Sequence, residues 1–433
     1  MEIYVVQPGD SIETIAKKYN TSLTRLIEDN GLDNTRALVT GQALVILFPE
    51  QIYTVQEGDS LVSIATANGI TLLQLLRNNP SLYARDYIYP GETLIIRYNS
   101  VNNITTNGYA YSFIDRNVLK KTLPYLSFLS VFNYRTTENG SIITYGDDSE
   151  LIKLANIYHT IPLLMISSLS PLGELDIELV YEILLNEEKN TLLIQNILDT
   201  VQSKGFQGVN VLISIINMTN QNLYIKFLTK LSNALKQGGY IFIVTMNPQI
   251  KDENGIVTFE KLDYNSISQL VNQLVFIQYV WGVNKQPPGP ISSIMMMRSF
   301  LDYIKSTLST NNTSLGKPLI GYDWKLPYIP GKSVANAMTL DSTLMLAHDN
   351  NAVIEFDEAS QTPFFRYYNS SIGLPTEHIV WFIDTRSIKA LDDLIIEYNL
   401  AGSGIWNINN YNQQLWSIIN VRFNITRVTP DLL

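Results

Sequence analysis

The chain contains no cysteine, only three histidines, and charged residues at just 16% of its 433 positions. Without cysteine there are no disulfides, no thiolate metal sites and no cysteine nucleophile, and the redox compartment is left undetermined. His159, His348 and His378 stand far apart in sequence. A lone histidine is ordinarily a surface or satisfied core residue, so neither a metal site nor a cofactor is expected. Basic residues are also in deficit: the net charge of −10, a pI near 4.9 and the lack of any basic stripe argue against nucleic acid as a partner. No run approaches the ~18 apolar residues of a membrane-crossing helix, so no membrane span is expected. The opening Met1-Glu2-Ile3-Tyr4 runs directly into a strand pattern, with neither a basic leader nor a long apolar stretch, and no signal peptide is expected.

What the chain does have is length and apolar content. Hydrophobic residues make up 45% of it, enough for a large core, and 433 residues suit one large domain with small modules. With so few ions, the polar surface must come from Asn, Ser, Thr, Gln and Tyr. Uncharged hydrogen-bonding groups and aromatic rings suit carbohydrate, and an Asn-rich composition follows equally from genome bias.

The first hundred residues are an internal repeat. Ile3-Tyr4-Val5-Val6-Gln7-Pro8-Gly9-Asp10-Ser11-Ile12 lies over Ile52-Tyr53-Thr54-Val55-Gln56-Glu57-Gly58-Asp59-Ser60-Leu61. The same offset carries Ile15-Ala16 onto Ile64-Ala65 and Asn30 onto Asn79. After one inserted residue, Gly41-Gln42-Ala43-Leu44-Val45-Ile46 matches Gly91-Glu92-Thr93-Leu94-Ile95-Ile96. Each copy reads strand, helix, helix, strand, with Gly-Asp-Ser supplying a turn and a helix N-cap. The recurring Gly-Asp-Ser, the mid-module Asn and the closing strand resemble the LysM module, at residues 1–48 and 51–97. The resemblance implies binding of N-acetylglucosamine glycans such as peptidoglycan or chitin, in a groove between the loop after the first strand and the loop before the second. Those loops are Gly9, Asp10, Ser11 and Ile12 with Asn30, Gly31 and Leu32, and Gly58, Asp59, Ser60 and Leu61 with Asn79, Pro80 and Ser81. Read from the residues alone, the Asp and Ser side chains serve equally well as caps. Two tandem sites would raise avidity on a polymer.

The polar segment Asn99-Ser100-Val101-Asn102-Asn103 marks a boundary. From 104 to 433 strand-like runs alternate with amphipathic helical ones, the pattern of a parallel α/β fold. Eight strands are expected near 106–113, 125–132, 161–166, 208–216, 240–246, 274–279, 318–322 and 402–408, which is the number that closes a TIM (β/α)8 barrel. The stretch from about 323 to 375 is too long for one barrel connection and is expected to form a small α+β insertion.

The whole chain resembles the spore cortex-lytic N-acetylglucosaminidases, two LysM modules followed by a glycoside hydrolase family 18 barrel. Beyond the repeat, the resemblance rests on five stretches. These are Leu126 to Arg135, Gln278-Tyr279-Val280-Trp281-Gly282 with Pro287-Pro288-Gly289-Pro290-Ile291, Gly321 to Tyr328, Gln361 to Tyr367, and Gly402-Ser403-Gly404-Ile405-Trp406. It implies a sugar cleft at the barrel mouth in which Tyr279 and Trp406 contact N-acetylglucosamine, with Trp281, Tyr322 and Trp324 nearby. Each of these aromatics also reads as a core residue.

The same resemblance exposes a departure. Family 18 enzymes use the sugar's own acetamide as nucleophile, a glutamic acid as proton donor and an aspartate two residues before it, spaced D-x-x-D-x-D-x-E so that alternate side chains share one face of the fourth strand. Here those positions hold Gln207, Asn210, Leu212 and Ser214. Asn210 fits a variant of the cortex enzymes. Leucine cannot hold an acetamide, however, and serine is no general acid at neutral pH. No Asp or Glu occurs between Asp199 and Asp252, and the position after the tyrosine of the sixth strand, where related enzymes carry Glu, is Val280.

The leading expectation is therefore a non-catalytic protein, associated with the spore coat, cortex or cell wall, that binds peptidoglycan or another N-acetylglucosamine polymer. A structural protein of the spore surface that contacts coat proteins is a second reading. An active N-acetylglucosaminidase using other acids, with Glu355, Asp357 or Asp384 as candidates, is a third.

Overall fold

A computed structural model describes all residues except 33–36, 86, 101, 170–175, 254–255, 279–282, 370–373 and 429–433. Each LysM module is two short antiparallel strands and two helices. In module 1 the strands Glu2–Val5 and Ala43–Ile46 flank helices Ile12–Lys18 and Leu23–Asn30. In module 2, Gln51–Thr54 and Thr93–Arg97 flank Leu61–Ala67 and Leu72–Asn78. Each has its own small core, centred on Ile15, Leu26 and Leu44 in one and Ile64, Leu75 and Leu94 in the other.

The barrel is closed by eight parallel strands: Asn102–Tyr111, Phe128–Thr136, Ile161–Ser167, Gly208–Ile213, Ile241–Met246, Gln273–Phe276, Thr313–Pro318 and Gly402–Trp406. The last pairs in parallel with the first. The boundary segment is thus partly structural, because Asn102 and Asn103 open the first strand and pair with Phe423 and Asn424.

Strand four is buried along its whole length, as a strand covered on both faces must be. A Cβ on its first residue, Gly208, would stand 2.3 Å from the carbonyl oxygen of Ile241, so only glycine lets strand five close against it.

Strand seven corrects the sequence expectation. It runs from Thr313 to Pro318, one element before the expected 318–322. The residues from Gly321 to Lys325 belong instead to an antiparallel sheet with Asn336–Met338, Thr376–Phe382, Thr362–Asn369 and Glu355–Asp357. This sheet, with the helix Leu340–Asp349, is the insertion. It extends to Phe382, past the expected limit near 375, because Thr376–Phe382 is its middle strand.

The LysM modules are docked on the barrel. Val45 and Leu47 of module 1, Ile95 of module 2 and Tyr98, which follows it, belong to the same core as the barrel residues. The last helix, Gln413–Arg422, touches both modules: Gln414 Nε2 donates to Asn30 Oδ1 and to the carbonyl of Ala43, each at 3.0 Å, and Ser417 Oγ donates to the Asp29 carbonyl at 2.8 Å. Asn420 Nδ2 reaches Asn78 Oδ1 in module 2 at 2.7 Å. Arg25 ties the modules together, paired with Asp29 and bonded to the Asn78 carbonyl and the Tyr98 hydroxyl.

Candidate functional site

The fourth barrel strand sends its family positions to different places. Gln207 precedes the strand, at its N-terminal end, where its amide donates to Asn156 at 2.7 Å. Asn210 lies inside the barrel, fully buried, in a chain of neutral hydrogen bonds: its amide donates to Ser130 Oγ at 2.9 Å, and its carbonyl accepts from Thr245 Oγ1 at 3.0 Å. Thr245 in turn contacts the Tyr109 hydroxyl at 2.7 Å, and Ser130 donates to Asn107. Burial pushes the Tyr109 phenol well above its ordinary pKa, so this network carries no charge at neutral pH. Leu212 is 4% exposed and joins the core. Ser214 follows the strand's last residue, and its Oγ is buried with no hydrogen-bond partner among the described residues.

The aromatics assigned to a sugar cleft are largely enclosed. Trp406, 5% exposed, packs against Tyr109, Phe132 and Tyr111 with ring centroids 5.1, 5.5 and 6.4 Å away. Tyr322 and Trp324 are 3% and 1% exposed, and the Trp324 indole donates to the Gln286 carbonyl at 3.0 Å. Tyr279, Val280 and Trp281 lie outside the described residues.

Two of the three alternative acids are engaged elsewhere. Asp384 caps the helix Thr385–Glu397 and pairs with Arg386 at 2.7 Å. Asp357 accepts from the Ser360 amide at 2.9 Å, and Glu355 sits exposed on the edge strand of the insertion. Among the described residues no group of three or more His, Asp or Glu side chains could hold a metal ion, and no helix is long and apolar enough to cross a membrane.

In both LysM modules the recurring residues have local work. Ser11 caps its helix in a reciprocal box with Thr14, and Ser60 does so with Ser63. Asp10 accepts from the Tyr4 hydroxyl at 2.6 Å and the Gln7 amide at 2.7 Å. Asp59 repeats this with Tyr53 and Gln56. The bond to Asp10 pushes the Tyr4 phenol up to about 12. Gly9 and Gly58 occupy the exposed turn between these contacts, with nothing near the place a Cβ would take. Ile12 is buried and Leu61 packs against the small core of module 2.

Asn30 and Asn79 are staples: each donates to a carbonyl of its own helix and exchanges two bonds with the closing strand, Asn30 with Val45 and Asn79 with Ile95. Pro80 and Ser81 begin a short 3-10 turn. Gly31 and Leu32 border a cleft of about 570 Å3 between module 1 and the insertion, whose wall also includes Asn30.

Sequence reasoning missed the groups that hold the parts together. The amides of Gln414 and Asn420 carried no visible signal, because their partners are more than 300 residues away. Lys317 and Asp392, both fully buried and 2.8 Å apart, join strand seven to the helix Thr385–Glu397. His378, expected to be a surface or satisfied core residue, is the latter: its Nδ1 is 2.9 Å from Asp323 Oδ1, beside the Tyr367 hydroxyl.

Residues 173–410 match the model of glycosyl hydrolases family 18, and residues 4–47 and 53–97 match the LysM domain. The cortical fragment-lytic enzyme of Bacillus subtilis (strain 168) is 31% identical over 437 aligned positions, covering 99% of this chain and all of that one. The putative sporulation-specific glycosylase YdhD of the same organism is 30% identical over 413, covering 94% and 95%. Among solved structures, the spore cortex-lytic enzyme SleL of Bacillus megaterium QM B1551 superposes with a TM-score of 0.79 at 28% identity, covering 99% of both chains. SleL of Bacillus cereus gives 0.78 at 28%, covering 98% and 99%.

Proposed function

This chain belongs to glycosyl hydrolases family 18, with two LysM domains ahead of its barrel, and from that premise we propose that it binds spore cortex peptidoglycan without hydrolysing it by the family's mechanism. The observation that carries this reading is the pair Leu212 and Ser214, which stand where the resemblance requires an aspartate and a glutamic acid. Loss of a general acid alone costs about 10² to 10⁴ in rate, and here the residue that would orient the acetamide is missing with it. Asn210, buried in a neutral network, supplies no substitute proton donor. Binding is assigned to the two LysM domains, whose turns at Gly9 and Gly58 are exposed. The site of action is the spore cortex or cell wall, in keeping with the names of the relatives.

A second reading has its own support: proteins similar over nearly the whole chain are named as lytic enzymes. In that case the chain is an N-acetylglucosaminidase that draws its proton donor from another residue. Co-sedimentation of the full chain with purified cortex peptidoglycan tests the binding common to both. Retention in the pellet is expected, and a chain left entirely in the supernatant would refute both readings.

A further inference from the structure

Four segments far apart in sequence meet around the 570 Å3 cleft: residues 30–32 and 37–39 of LysM module 1, Lys121, the insertion helix Leu340–Asp349 and the turn that precedes helix Gln413–Arg422. The volume falls within the ~300–1,000 Å3 of small-molecule sites. The geometry points to a composite glycan site, in which a short N-acetylated hexosamine oligosaccharide is held between Gly31 and Leu38 of module 1 and Leu344, Met345, Tyr411 and Gln413 of the barrel domain. The inference rests on the LysM domains binding such glycans, and it assigns part of the site to a domain that LysM modules ordinarily lack.

The cleft is preformed. On one side Gln414 fixes Asn30 and Ala43 through two bonds of 3.0 Å. On the other the backbone of Ile354 donates to the Thr40 carbonyl at 2.9 Å. That second contact is close enough that a Cβ on Gly41 would stand 1.9 Å from the Ile354 oxygen, so residue 41 must be glycine for the module to seat. In module 2 the matching Gly91 has nothing within 4 Å. The two LysM modules are therefore inequivalent, one facing the insertion and one not.

The chemistry of the walls suits an uncharged sugar bearing acetamides. Leu38, Leu344 and Met345 offer apolar surface to the C–H faces of pyranose rings. The Gln413 amide is held in place, its nitrogen donating to Ser417 at 3.0 Å and its oxygen accepting from the Tyr411 hydroxyl at 3.2 Å. An amide oriented in this way needs no rotamer ordering when it meets an acetamide or hydroxyl, which favours binding. Formal charge in the wall comes from one lysine and one aspartate, Lys121 and Asp341, and leaves no net attraction for an ion.

The test is the methyl resonance of Met345 in the full chain labelled with methyl-13C methionine, assigned by Met345→Leu and followed as tri-N-acetylchitotriose is added, with calorimetry on the same samples. The Met345 signal is expected to shift and saturate with the trisaccharide. Met345→Trp, made at a position 41% exposed, is expected to weaken that site about tenfold, equivalent to about 1.4 kcal/mol. Calorimetric binding with an unmoved Met345 signal would overturn the composite site and leave the LysM reading standing. No calorimetric binding at all would overturn that reading and the composite site with it.

Discussion

The mid-module asparagines offer a direct way to separate scaffold from ligand contact. In module 2, Asn79→Ala removes the partner of both the N–H and the carbonyl of Ile95, a residue 4% exposed. Each buried backbone group left unpaired costs about 1–3 kcal/mol, so the substitution should destabilise the module by roughly 2–6 kcal/mol. Asn30→Ala strips Val45 in the same way and also breaks the bond from Gln414. It should cost about 1 kcal/mol more, the worth of one further neutral hydrogen bond. Urea unfolding of the full chain gives the stability difference, and hydrogen exchange at the Val45 and Ile95 amides localises it. The staple argument predicts loss of protection at the matching amide, with the larger destabilisation for Asn30. An Asn79→Ala chain within about 0.5 kcal/mol of the parent, with normal protection at Ile95 but weakened trisaccharide binding, would refute it and make the residue a sugar ligand.

Three more predictions follow from the buried groups. Asp29 is buried beside Arg25, and burial, outweighing that ion pair, pushes its carboxyl from an ordinary 3.8 to about 6. Because the folded value lies above the unfolded one, its contribution is fully present below about pH 4 and is lost as the pH rises through 6. Urea midpoints of the parent relative to Asp29→Asn should accordingly decline between pH 4 and 6, and a difference that stays constant would count against the shift. Lys317→Met leaves the buried Asp392 carboxyl without its ion-pair partner and should cost about 3–5 kcal/mol, most of it recovered when Asp392→Leu is added; equal losses in the single and double variants would contradict this. Leu212→Asp with Ser214→Glu should raise hydrolysis of a chromogenic N-acetylglucosaminide by about 10² or more over the parent. A folded double variant with no gain would count against the proposal that the residues at 212 and 214 are what limits hydrolysis.

The repeat and the eight-strand barrel were legible because each depends on local pattern: recurring Gly-Asp-Ser turns and continuous apolar runs. Strand seven was misplaced because Thr313-Ser314-Leu315-Gly316-Lys317-Pro318 has no such run. Its lysine is compatible with a buried strand only because Asp392, on a later helix, neutralises it. The asparagines at 30 and 79 could be seen to recur. Their role as bridges from helix to closing strand needs the fold, since the partners lie 15 and 16 residues on. The docking of module 1 was invisible for the same reason at longer range, through Gln414, Ser417 and the backbone of Ile354.

Muropeptide release decides the account most directly. Purified cortex fragments incubated with the full, unmodified chain, with the soluble products resolved by mass spectrometry, should show protein bound to the fragments and no N-acetylglucosamine-ended products above the protein-free control. Time-dependent release of such products by the unmodified chain would contradict the account and establish an acid other than the residues at 212 and 214 as the proton donor.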